Sequence, residues 1–214
     1  MSVTTDSQGR LITTFSARNI TWRRGGNSYT NYTLLGSPFL GGTPWHLGTI
    51  TLDNQTVIPA MLCYDLNNRI LYTVDSVANE QPEIKPNSFT FEGAEFISFK
   101  THFLGFTNIE YGNLIYDGTT KLLVKLHKSV GHPNSFHLPN FNEDGVYVDS
   151  NNYYVQKKDG EFEHLNLSNR AILAKLVDKK SEISEFIRNR RIDVQNEKDL
   201  IVVLRFYDGL FEKQ

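Results

Sequence analysis

The sequence predicts an α+β protein with an antiparallel β-rich body, made of a meander and hairpins, and a C-terminal tail of two to three α-helices. Up to residue 165, short aromatic and β-branched runs alternate with Asn-rich and Asp-Gly turns, which is typical of strands. From residue 166, apolar residues recur at helical spacing almost to the end. We therefore expect a flexible N-terminal arm over 1–35, the β-rich body over 36–165, and a helical tail over 166–214 packed on the body.

The first part of the body has the pattern of a meander. Strands are predicted at 46–52, 56–64, 69–74 and 95–101, with another at about 103–110. Asp53-Asn54 and Asn67-Asn68 separate the first three strands, because Asn and Asp tolerate positive φ and bond their own backbone.

Two hairpins are predicted in the second part of the body. Asp117-Gly118 lies between the apolar runs 114–116 and 121–126, and this pair suits a tight β-turn. Asn151-Asn152 lies between 145–148 and 153–156 in the same way. The intervening segment 127–143 is predicted to be an irregular loop of a length that is often functional or mobile.

The tail contains three candidate helices. Ser168 is the predicted N-cap of the first, Ser181 of the second and Asn196 of the third, where Asp199 completes a capping-box pattern. The predicted inward-facing residues of the three helices are Ile172, Leu173, Leu176 and Val177, then Ile183, Phe186 and Ile187, then Leu200, Val203, Leu204 and Tyr207. Asp208-Gly209 is expected to stop the last helix.

Composition excludes several classes of function. The 22 basic and 24 acidic residues give a net charge of -2, and no segment has the one-sided basic stripe of a nucleic-acid binder. No apolar run is long enough for a transmembrane helix. Cys63 is the only cysteine, so an internal disulfide is impossible.

The order of motifs resembles a set of uncharacterised exported proteins of the Bacteroidetes type, which have no established activity. The resemblance covers about residues 36–210 and is carried by Ser37, Pro38, Phe39, Trp45, Gly48, Ile50, Leu52, Tyr64, Asp65, Leu122, Leu123, Tyr153, Tyr154, Lys179, Lys180, Ile183, Phe186, Ile187, Asp199, Leu200, Phe206 and Tyr207. It implies a periplasmic or otherwise extracytoplasmic protein whose export signal has been removed. The alternative is a cytoplasmic protein, because the segment after Met1 lacks the features of a signal peptide.

Three patterns could carry chemistry, and each has a plain structural interpretation. His127, His132 and His137 could converge on zinc or copper, although loop histidines are usually solvated. The pattern Asn140-x-Asn142-x-Asp144-Gly145 resembles half of a calcium loop, but its twelfth position is Asn151 instead of Glu. We favour an Asx-rich turn there.

Cys63 could be a nucleophile only beside a base that lowers its pKa. It lies in the apolar run 60–64, which favours a buried and inert thiol. No catalytic constellation or cofactor motif is recognisable, so we expect neither a cofactor nor catalytic residues.

Two functional hypotheses remain. The first is a non-catalytic extracytoplasmic binding or structural protein that contacts an unknown protein or envelope component. The second is a small-molecule-binding protein or hydrolase with a site between the β body and the helical tail, since pockets favour such junctions.

Overall fold

The structure is a computed structural model that describes residues 1–21, 26–75, 80–103, 105–132, 144–158 and 160–211, with the backbone alone at 18–21, 26–29 and 103. The chain forms two compact units. Unit 1 comprises Met1–Thr49, Ile58–Lys85 and His127–Ser150, and unit 2 comprises Ile50–Val57, Pro86–Leu126 and Asn151–Gln214.

The described residues contain strands in the first three quarters of the chain and helices at its end. The strands are β1 (Ser2–Thr5), β2 (Leu11–Thr21), β3 (Gly26–Leu35), β4 (His46–Thr51), β5 (Val57–Asp65), β6 (Ile70–Thr73), β7 (Ser88–Phe91), β8 (Ala94–Phe103), β9 (Phe106–Asp117), β10 (Lys121–Gly131), β11 (Gly145–Gln156) and β12 (Glu163–Leu165). The helices are α1 (Asn169–Lys175), α2 (Lys180–Arg190) and α3 (Glu197–Gly209), with a 3-10 turn at Val177–Lys179. This order confirms the α+β class.

The sheet is open and mixed, which corrects the prediction of an antiparallel body. In unit 1, β11 runs parallel to β3, with Gly145 opposite Leu34 and Val146 opposite Leu35. The paired residues are more than a hundred positions apart, so turn signals, which act between neighbouring strands, could not indicate this pairing. Seven other pairs are antiparallel: β1–β2, β2–β3, β5–β6, β7–β8, β8–β9, β9–β10 and β11–β12.

Unit 1 contains β1, β2 and β3, which lie within the first 35 residues. β2 and β3 pair along their length, from Ile12 opposite Leu35 to Thr21 opposite Gly26. The unit also contains the β5–β6 hairpin. Its buried apolar side chains are Ile12, Leu34, Leu62, Cys63, Tyr64, Leu66 and Leu71.

Unit 2 combines a meander with the helices. β8 pairs with both β7 and β9, and β9 forms the predicted hairpin with β10 at Asp117-Gly118. One buried cluster joins the strand residues Leu122, Val155 and Leu165 to nine residues of the helices and their connections. Its helical members are Ile172, Ile183, Ile187, Leu200, Val203, Leu204 and Tyr207. The helices of this unit therefore pack on its strands.

Two strand predictions are wrong. Asn151-Asn152 does not turn, because β11 continues through both residues from Gly145 to Gln156. The predicted strand at 103–110 spans the end of β8 and the start of β9, and β9 continues as one strand from Phe106 to Asp117 through 114–116.

The helix caps agree with the sequence at two of three positions. Ser168 Oγ accepts from Ala171 N at 3.2 Å, and Asn196 Oδ1 accepts from Lys198 N at 2.9 Å. The Ser181 prediction is wrong, because α2 begins at Lys180 and Lys179 is its N-cap. Val177 also departs from the predicted apolar stripe and is 63% exposed. No described helix has the length and hydropathy needed to cross a lipid bilayer.

Candidate functional site

Two of the three histidine candidates for a metal lie within the described residues. His127 lies on β10, and its Nδ1 is 2.9 Å from the Leu66 carbonyl oxygen. His132 is exposed at the end of the described part of this segment, and His137 lies outside the described residues. Within the described ranges, no three His, Cys, Asp or Glu side chains are grouped as metal ligands would be.

The calcium-like pattern is described only in its second half, because Asn140 and Asn142 lie outside the described residues. Asp144 pairs with Thr33: its Oδ2 accepts from Thr33 N at 2.6 Å, and its own N–H donates to Thr33 O at 2.7 Å. Asn151, at the twelfth position, lies within β11. The Asp144 carboxylate is thus used to position the backbone at the start of β11.

Cys63 lies on β5 and is buried. Burial raises the pKa of its thiol to about 12, and the neighbouring Asp65 charge adds to the effect. The thiol therefore remains neutral near pH 7 and is a poor nucleophile. Asp65 itself is used in a turn, where its carboxylate accepts from Asn67 N and Asn68 N, each at 2.9 Å.

The best candidate site begins at the turn of the β9–β10 hairpin in unit 2. Gly118 N donates to Thr120 O at 3.0 Å, which closes the turn between the two strands. The side chains around Gly118 leave little space, because a Cβ there would lie 2.7 Å from Cζ of Tyr116 and would also clash with the Asp208 carboxylate. The turn and the last part of α3 thus approach each other closely.

Asp208 connects α3 to this hairpin. Its Oδ2 accepts from Tyr116 OH at 2.8 Å, and its Oδ1 accepts from Thr120 Oγ1 at 2.7 Å. The Thr120 N–H also donates to the carboxylate, 3.0 Å from Oδ2 and 3.2 Å from Oδ1. Asp208 is 6% exposed and Thr120 is fully buried. Both groups are therefore engaged in holding the structure together and are shielded from solvent.

Tyr207 makes a second connection beside Asp208. Its hydroxyl donates to Asp178 Oδ2 at 2.8 Å. Burial raises the pKa of Tyr207 far above its ordinary value, and the hydrogen bond to Asp178 acts in the same direction. The hydroxyl therefore stays protonated and keeps the Asp178 side chain in place.

A cavity of about 480 Å³ lies beside these connections. We call it the lysine cleft; it is lined by Thr119, Thr120, Lys157, Lys158, Asp178, Tyr207, Asp208 and Phe211. The two lysines follow β11 in a turn closed by the hydrogen bond from Gly160 N to Lys157 O at 3.0 Å. Phe211 is partly exposed and contacts Tyr207 edge to face, with ring centroids 5.2 Å apart. The cleft thus offers cationic, acidic and aromatic groups to one ligand.

No protein-family model, curated protein or solved structure matches the chain.

The lysine cleft contains none of the predicted candidate site residues. The sequence suggested only its general position, between the strands and the helical tail. Asp208 was interpreted as part of a helix stop, although it directly follows Tyr207 on the inward face of α3. An acidic residue beside an apolar stripe is the one signal that could have indicated a buried carboxylate.

The cleft has the size of a binding site, and its buried Thr120 hydroxyl is not available as a nucleophile. A nucleophilic hydroxyl must be accessible and must face a base, but the Thr120 hydroxyl that contacts Asp208 is fully buried. Among the lining residues there is no Ser, Cys or His. Its volume is in the range of small-molecule sites, which is about 300–1,000 Å³.

Proposed function

We propose that the protein is a non-catalytic binding protein and that the lysine cleft takes a small organic anion with an aromatic or apolar part. The observation that carries this proposal is the pairing of Lys157 and Lys158 with Phe211 in one cavity. An anionic group would face the lysines, and the apolar part would lie on the ring. The two Asp208 oxygens face the donors of Tyr116 and Thr120, which make four hydrogen bonds to them.

The ligand also has a donor group in this proposal. Asp178 lines the cleft and its Oδ2 accepts from Tyr207, which leaves Oδ1 to face a hydroxyl or ammonium of the ligand. Lys158 is the more exposed of the two lysines. The pKa of Glu163 is lowered mainly by the hydrogen bond from Lys175, and the positive charge of Lys157 lowers it to a smaller extent. Lys157 therefore already interacts with an acidic side chain. Lys158 is therefore the main anchor for the anion.

The proposal can be tested by isothermal titration with three related compounds, phenylacetate, phenylalanine and phenylethanol. We expect both carboxylates to bind and the neutral alcohol not to bind. Lys158→Gln should weaken both by about tenfold, which corresponds to about 1.4 kcal/mol. Asp178→Asn should weaken phenylalanine more than phenylacetate, because only phenylalanine carries an ammonium.

Lys198→Gln is the matched control, since Lys198 is exposed in the first turn of α3 and does not line the cleft. Its affinities should equal those of the unchanged protein. Binding of the alcohol as strong as that of the acids, or the same loss in Lys198→Gln as in Lys158→Gln, would contradict the proposal.

We also propose that the protein acts outside the cytoplasm, on or near an envelope component. The support is the pattern of residues from Ser37 to Tyr207 that resembles exported proteins, together with a single, buried cysteine. Fractionation of the native source with an antibody to the folded protein would test the location. Recovery in the cytoplasmic fraction would contradict it.

A further inference from the structure

A second cavity in unit 2 lies between α1 and α2 and has a volume of about 420 Å³. We call it the arginine pocket; its lining residues are Asn169, Leu173, Ser184, Ile187, Arg188, Arg191 and Ile192. None of them lines the lysine cleft. The pocket combines two guanidinium groups, one amide and one hydroxyl with three aliphatic side chains.

The two arginines line the pocket from the C-terminal end of α2. Arg188 lies in the last turn of the helix, and Arg191 is the residue that ends it. Arg190 lies between them in the sequence but is directed elsewhere, with its guanidinium carbon 5.0 Å from the centroid of the Phe186 ring. The basic run 188–191 thus divides into one stacked arginine and two that line the pocket.

Neither pocket arginine forms an ion pair within the described part of the chain. Nearby acidic groups on the same helix have other neighbours: Glu182 faces Lys179 at 4.0 Å, and Glu185 accepts from Asn189 Nδ2 at 3.4 Å. Two guanidinium groups on one cavity repel each other unless an anion lies between them. The pocket therefore has the charge of an anion site.

Arg191 occupies a backbone conformation that glycine would adopt more easily. It ends α2 with φ 53° and ψ 43°, in the left-handed region, and its N–H bonds the carbonyl oxygens of Arg188 and Ile187. Glycine is the usual residue at such a helix end, because it has no Cβ to disfavour positive φ. A positively charged side chain is present here at a conformational cost, which suggests that the side chain has a use.

We propose that the arginine pocket binds the phosphate group of a phosphorylated small molecule. Arg188 and Arg191 would each present a planar fork of donors to the phosphate oxygens, a geometry in which arginine surpasses lysine. Ser184 and Asn169 supply further donors, and the remainder of the molecule lies on Leu173, Ile187 and Ile192. Free phosphate fits the same donors but leaves the aliphatic wall without a partner.

The test is titration of the whole chain, isotopically labelled for NMR, with phenyl phosphate, inorganic phosphate and benzyl alcohol. We expect phenyl phosphate to bind most tightly, inorganic phosphate more weakly and the alcohol not at all. Arg188→Gln and Arg191→Gln should each weaken phenyl phosphate by about tenfold or more. Shifts should centre on Asn169, Ser184 and Arg191.

Arg190→Gln is the matched control, because it removes the same charge from the same helix but not from the pocket. Arg191→Gly separates binding from folding: it should lose phenyl phosphate affinity while its melting temperature rises. Equal losses in Arg190→Gln and Arg188→Gln would show a general charge effect and overturn the proposal. No binding of phenyl phosphate to the unchanged protein would overturn it too, and tighter binding of inorganic phosphate would overturn the role of the aliphatic wall.

Discussion

Asp208 is an acidic residue at the inward face of α3, where its carboxylate is buried beside Thr120 and accepts from Tyr116 OH at 2.8 Å. All of its hydrogen-bond partners are donors, so both terminal atoms of the side chain at this position must be acceptors. A carboxylate meets this requirement and an amide does not, because the amide nitrogen is itself a donor. The residue therefore stabilises the contact between the hairpin turn and α3.

Asp208→Asn should lower the free energy of unfolding by about 1–3 kcal/mol, because its NH₂ group would face the donors of Thr120 or Tyr116. Urea denaturation followed by circular dichroism measures the change. Asp53→Asn, at an exposed turn position, is the control and should leave the midpoint unchanged. An equal midpoint for both variants would contradict the structural role of Asp208.

Gly118→Ala should also destabilise the protein, for a steric reason. The added Cβ would lie 2.7 Å from Cζ of Tyr116 and would clash with the Asp208 carboxylate, so these two side chains would have to move and their hydrogen bond would be disturbed. Overpacking of this kind costs about 1–3 kcal/mol. Gly209→Ala is a suitable control, because nothing lies within 4 Å of a Cβ built there. A stability of Gly118→Ala equal to that of Gly209→Ala would be inconsistent with this close approach.

These residues show why the candidate site could not be predicted in detail. Asp117-Gly118 was correctly recognised as a turn, since a turn depends on adjacent residues. The partners of Asp208 are 88 and 92 positions away in the sequence, and hydrophobic periodicity carries no information about such contacts. The sequence led us to expect a pocket between the strands and the helices, but it carried no signal for Lys157, Lys158 or Phe211 as lining residues.

At the scale of elements, the sequence predicted the helix N-caps correctly where no regular element directly precedes the helix. Ser168 and Asn196 precede α1 and α3 after irregular segments, so their side chains satisfy exposed N–H groups. Ser181 fails as a cap because the 3-10 turn at Val177–Lys179 continues directly into α2. In that position the preceding turn replaces the side-chain cap.

The failure at Asn151-Asn152 has a tertiary cause. Both residues disfavour strands, yet β11 pairs with β3 at one end and with β12 at the other. Residues 149–151 are exposed, so their polar side chains need not be desolvated within the strand. The pairing of the two ends outweighs the local turn preference between them.

Leu204→Ala tests the packing of α3 in the cluster that it shares with Leu122 and Val155. Leu204 is 1% exposed, so its truncation leaves a cavity and should cost about 2–5 kcal/mol of stability. Val202→Ala is the matched control on the same helix, because Val202 is 38% exposed. It should change stability by less than about 0.5 kcal/mol. Thermal unfolding of the two variants measures the difference, and similar melting temperatures would refute the packing role of Leu204.

At the scale of the molecule, two tyrosines make the stability of unit 2 sensitive to alkaline pH. Tyr153 OH donates to Glu197 at 2.7 Å, which connects β11 to α3, and Tyr207 OH donates to Asp178. Burial raises the pKa of Tyr153 to about 12, and the Glu197 hydrogen bond acts in the same direction. The pKa of Tyr207 is raised further by burial and by Asp178.

The expected consequence is a loss of stability as pH rises through the interval between the unfolded and folded pKa values of Tyr153. An unfolded tyrosine releases its proton at about pH 10, so above this pH the unfolded chain binds fewer protons than the folded chain and the free energy of unfolding falls. The stabilisation due to the protonated hydroxyl is complete below about pH 10 and is lost as the pH passes about 12.

Tyr153→Phe cannot ionise, so the stability difference between the unchanged protein and this variant should shrink steadily across the interval. Urea denaturation of both proteins at a series of pH values measures that difference, and titration of exposed lysines cancels because both contain the same lysines. A difference that stays constant from neutral to strongly alkaline pH would show that the Tyr153 hydroxyl titrates alike in both states and that its contact with Glu197 does not stabilise the fold.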